Sequence, residues 1–80
     1  MLQMGKGVVL RTRARHKATN TWHVAYGEVI EDSDRKLVIA CVKKQKDGAP
    51  TVVMKQTFLL SEWDSFDNCY LGDGLASIRQ

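Results

Sequence analysis

The sequence predicts a mostly β fold, a small and bent antiparallel meander. Three observations point there. Apolar and polar residues alternate with a period of two through residues 7–16 and 22–30, the run Leu37-Val38-Ile39-Ala40-Cys41-Val42 is rich in β-branched residues, and short polar turn signals separate these stretches.

In the first element, Gly7 to His16, Val8, Leu10, Thr12 and Ala14 fall on one side, with Val9, Arg11, Arg13 and Arg15 on the other. Lys17 to Thr21 is a polar connection whose expected turn residue is Asn20, since a short amide side chain tolerates the left-handed region. Trp22 to Ile30 alternates Trp22, Val24, Tyr26, Glu28 and Ile30 against His23, Ala25, Gly27 and Val29, and the aromatic side is expected to face the core. Gly27 within this strand predicts a bulge or a close backbone approach. Glu31-Asp32-Ser33-Asp34 reads as a hairpin turn, and Leu37–Val42 as the most buried strand.

Asp47-Gly48-Ala49-Pro50 is the strongest turn signal, because Gly48 supplies positive φ and Pro50 stops the ladder. Thr51 to Leu60 follows as a fourth strand. Ser61 as a cap with Asp64 three residues on predicts one short C-terminal helical turn. Gly72 and Gly74 stop any long continuation, and Leu75 to Arg79 is expected to form a closing strand. The resulting order, four strands, a helical turn and a strand, is that of SH3-like small barrels, an analogy of fold that says little about activity.

With 80 residues the chain suits a single domain, 1–80. No apolar run approaches the roughly 20 residues that cross a bilayer, and the start lacks the apolar core of a signal peptide, so no membrane association and a cytoplasmic location are expected. Cys41 and Cys69 are expected to be reduced thiols, since two distant cysteines make neither a disulfide framework nor a zinc clip. The net charge of +3 hides an asymmetry: residues 1–60 carry eleven Lys/Arg against five Asp/Glu, whereas residues 61–80 carry Arg79 against Glu62, Asp64, Asp67 and Asp73. That polarity predicts one basic face for an anionic partner and an acidic end held away from it.

Arg11, Arg13 and Arg15 are the leading site candidates. On a strand rising about 3.3 Å per residue they repeat every ~6.6 Å on one face, close to the spacing of successive phosphates on an extended nucleic-acid strand. Guanidinium stays charged and donates paired hydrogen bonds to phosphate oxygens. The plainer alternative is a solvated face whose arginines pair with carboxylates across the sheet. Lys17 at the first turn and Lys43, Lys44 and Lys46 at the Asp47-Gly48 hairpin are expected to add attraction and backbone contacts.

Trp22, Tyr26 and Trp63 could stack on bases, but their expected place is the core, which leaves His23 and Ala25 beside the arginines and favours readout of shape and charge. His16, His23, Cys41 and Cys69 match zinc-ligand types without the spacing of a zinc site, and no motif for nucleophilic or acid–base catalysis is present, so no cofactor, metal or enzymatic activity is expected. The sequence therefore predicts a non-enzymatic module that binds DNA or RNA with weak sequence specificity. The alternative is a small protein-interaction adaptor, or a homo-oligomer assembling through an open strand edge.

Overall fold

A computed structural model describes residues 6–43 and 51–74. They form five strands: β1 (Val8–His16), β2 (Trp22–Asp32), β3 (Lys36–Lys43), β4 (Thr51–Leu59) and β5 (Trp63–Asp73). All neighbours pair antiparallel in one open sheet of order β4-β3-β2-β1-β5.

The meander places β1 in the interior of the sheet, because β5 returns to its free side and not to β4. The connection is a tight turn after β4, in which Leu60 N donates to Arg35 O (2.9 Å) and Lys17 N donates to Glu62 O (2.8 Å). Among the described residues there is no helix. The helical turn expected at Ser61–Asp64 is instead this turn followed by the start of β5, where Trp63 pairs with His16 and Asp64 with Arg15. Local capping signals are a weak prior, and backbone pairing along the open side of β1 overrides them. The closing strand is therefore β5. The expected strand at Leu75–Arg79 and the Asp47–Pro50 turn lie outside the described residues.

Leu10, Ala14, Ala25, Val29, Leu37, Ile39, Phe58 and Trp63 form the main buried cluster, all from one face of the sheet. Phe58 of β4 meets Trp63 of β5 edge-to-face, with ring centroids 5.0 Å apart, so the two outer strands approach each other over this core. Thr12, fully buried on the same face, donates its hydroxyl to Asn68 of β5. The β1–β2 turn uses Asn20 as expected, at φ 58°.

β2 is turned over relative to expectation. Ala25, Gly27 and Val29 are buried, while Trp22 and Val24 are exposed and Tyr26 is half-buried. Glu28 accounts for this, because it shares the aromatic face and would carry its charge into the core. Gly27 packs closely on β3, where a Cβ would meet Ala40 O at 1.9 Å.

Candidate nucleic-acid interface

Because β1 is flanked on both sides, each arginine has cross-strand neighbours on β2 and on β5. Arg11 lies between Tyr26 and Cys69, Arg13 between Val24 and Asp67, and Arg15 between Trp22 and Asp64. The three do share one face, opposite Leu10, Thr12 and Ala14, as their period of two requires. They differ in how free they are.

Arg15 is occupied. Its Nε donates to Asp64 Oδ1 at 2.9 Å, its Nη2 to Asp64 Oδ2 at 2.8 Å, and its Nη1 to Asn20 Oδ1 at 3.0 Å. A β-bulge makes this fork possible. Three residue steps on β5 from Asp64 to Asp67 span two on β1 from Arg15 to Arg13, and Ser65, at φ 57°, takes the left-handed conformation. The bulge inverts the alternation of β5, bringing both Asp64 and Asp67 to the arginine face. Hydrogen bonding to Asp64 raises the Arg15 pKa further, and hydrogen bonding from Arg15 lowers that of Asp64, with the charges of Arg15 and Lys17 acting in the same direction.

Arg11 and Arg13 are exposed, and among the described residues neither takes part in an ion pair. Instead the Arg13 guanidinium carbon sits 4.3 Å from the centroid of the Trp22 ring. Trp22 is diagonal to Arg13 across the β1–β2 ladder, within reach of a long side chain. The face beside the arginines is thus Trp22, Val24 and Tyr26, where His23 and Ala25 were expected. Tyr26 closes its far end by packing with Val9 and Val42, a second apolar cluster on this side of the sheet.

The basic residues from elsewhere do not all converge on this face. Lys17 is exposed in the turn that follows Arg15. Lys43 ends β3 on the side of Cys41, which packs against the main core, so it leaves the sheet on the face opposite the arginines. Lys44 and Lys46 lie outside the described residues. Lys55, absent from the expected set, is exposed and aligned with Val9 through Glu28 and Ala40, which puts it on the arginine face. Nor is the acidic end held away: β5 sets Asp64 and Asp67 directly beside β1.

Of the remaining candidates, His16, His23, Cys41 and Trp63 sort onto the other face, and Cys69 does not. His16 and His23 flank Trp63, with ring centroids at 4.8 and 4.9 Å, and His16 Nε2 stands 3.9 Å from Glu62 Oε1. Trp63 itself is only 7% exposed, a core residue as its position suggested. Cys41 is half-buried, and burial pushes its thiol pKa up. Cys69 is exposed opposite Arg11, on the other side of the sheet from both imidazoles. Among the described residues no three His, Cys, Asp or Glu side chains gather as a metal site, and no helix is long and apolar enough to cross a membrane. No protein family, curated protein or solved structure matches the chain.

Proposed function

We propose that this chain is a cytoplasmic, non-enzymatic nucleic-acid-binding module that holds a phosphate backbone on the exposed face of β1. The observation that carries the reading is the pair Arg11 and Arg13, side by side, exposed, and outside every described ion pair. Guanidinium groups at alternate strand positions offer successive donors to successive phosphates. Lys17 and Lys55 extend the positive charge along and across the face, whereas Lys43, Lys44 and Lys46 are assigned long-range attraction. The sheet order and the Phe58–Trp63 contact support reading the fold as an SH3-like small barrel.

The test is fluorescence anisotropy with labelled oligonucleotides at two salt concentrations. Each phosphate contact on a single strand contributes about 0.7 to the slope of log K against log salt. Replacing Arg11 and Arg13 together with Ala is expected to weaken binding and reduce that slope by about 1.4. An unchanged slope overturns the reading.

A second reading, a homo-oligomer, is favoured by the outer strands. Val52, Val53 and Met54 on β4 and Tyr70 and Leu71 on β5 are exposed. β4 carries Lys55 and no carboxylate, while β5 carries Asp64, Asp67 and Asp73 and no base, so the two edges are complementary in charge. Sedimentation at several protein concentrations distinguishes it, because a mass that rises with concentration is expected only for assembly.

A further inference from the structure

We infer that the ligand of this face is a single, unpaired polynucleotide strand, with a base stacked on Trp22 while Arg11 and Arg13 hold the adjoining phosphates. The inference rests on the proposed nucleic-acid reading and narrows it to one class of ligand.

Three features of the face carry it. The first is the register of two parallel rows: Arg11 and Arg13 stand directly beside Tyr26 and Val24, with Trp22 next in the β2 row. Phosphate donors and apolar platforms therefore run side by side along one strand direction, about 4.8 Å apart, which is the layout of a backbone with its bases turned to one side. The second is exposure. Trp22 is 46% and Val24 62% exposed, although both are apolar and stand beside the arginine row, Trp22 at the start of β2. Paired bases are stacked inside a duplex and present phosphates and groove edges, leaving nothing to cover an indole. Unpaired bases have free π faces, and stacking on aromatic side chains is how sequence-tolerant single-strand sites are built. The third is the Arg13 guanidinium 4.3 Å from the Trp22 ring, which fixes the orientation of both groups before a ligand arrives. A base that stacks on the indole face away from Arg13 then has its phosphate within reach of a guanidinium already held at the ring.

The chain has two tryptophans, and only Trp22 is exposed, so its emission reports on this site. The experiment titrates the full chain with a ten-nucleotide thymidine strand, and separately with a ten-base-pair duplex, following intrinsic fluorescence and, with labelled probes, anisotropy. The expected result is quenching by the thymidine strand that disappears in Trp22→Phe, and tighter binding of that strand than of the duplex. Trp22→Ala is expected to weaken strand binding by about tenfold and to have far less effect on duplex binding. Equal affinity for strand and duplex, with no quenching and no effect of Trp22→Ala, overturns the inference but leaves the salt-dependent phosphate reading intact. No binding of either probe at low salt overturns both.

Discussion

A Cβ on Gly27 would sit 1.9 Å from Ala40 O and 2.9 Å from Cys41 Cα, so the β2–β3 ladder at this point has room for hydrogen alone. Gly27→Ala must push the two strands apart at the centre of the sheet and is expected to cost about 3 kcal/mol, measured by urea denaturation. The need for a close approach at this glycine was legible in the sequence; the irregularity in the β2–β3 pairing falls further on, between Val29 and Glu31. Asp64 was not legible in the same way. Its role depends on a bulge that no spacing announces, and a helix cap was the simpler local account of the same residues. Its folded pKa lies below the ordinary carboxylate value, so its contribution to stability is present above about pH 3.9 and is lost as the pH falls through the folded value. The difference in urea midpoint between the wild-type protein and Asp64→Asn is therefore expected at neutral pH and is expected to vanish in strong acid. The same substitution weakens the hold on Arg15, and oligonucleotide affinity and its salt slope are both expected to rise.

At the level of elements, strand positions follow from the sequence better than strand faces do. β1, β3 and β4 begin and end within a residue or so of the expected bounds, because turns and β-branched runs mark them locally. β2 is well marked too, extending two residues beyond Ile30, yet its more apolar face, with Trp22, Val24, Tyr26 and Ile30, is not the buried one, and the choice between faces is made by neighbours. Thr12 and Ala25 are paired across the ladder on the buried side, where small groups let the sheet close over Phe58 and Trp63. The large aromatic residues are left outside with Glu28 and the arginines. A charge scan along β2 checks this assignment: Val24→Glu is expected to change stability by less than about 0.5 kcal/mol, whereas Ala25→Glu, which buries a carboxylate, is expected to abolish cooperative unfolding. Val24→Glu should at the same time repel the nucleic acid, giving a folded protein with weakened binding in the anisotropy assay.

For the whole molecule, the decisive feature is that one sheet divides the chemistry. One face holds Phe58, Trp63, the imidazoles and the main core; the other holds the arginine and aromatic rows, with Asp64 of β5 engaging Arg15 and Asp67 next to Arg13. On the proposed function, ligand phosphates compete with Asp64 for Arg15, so this face is expected to bind strongly at low salt and to lose its ligand steeply as salt rises. The most direct measurement is a titration of the isotopically labelled chain with the thymidine strand, followed by backbone amide chemical shifts. The account requires the perturbations to concentrate at Arg11, Arg13, Trp22, Val24 and Tyr26, with the indole N–H of Trp22 shifting and that of Trp63 still. Perturbations confined to the β4 and β5 edges, or spread over the Phe58–Trp63 face while β1 and β2 stay unmoved, contradict it.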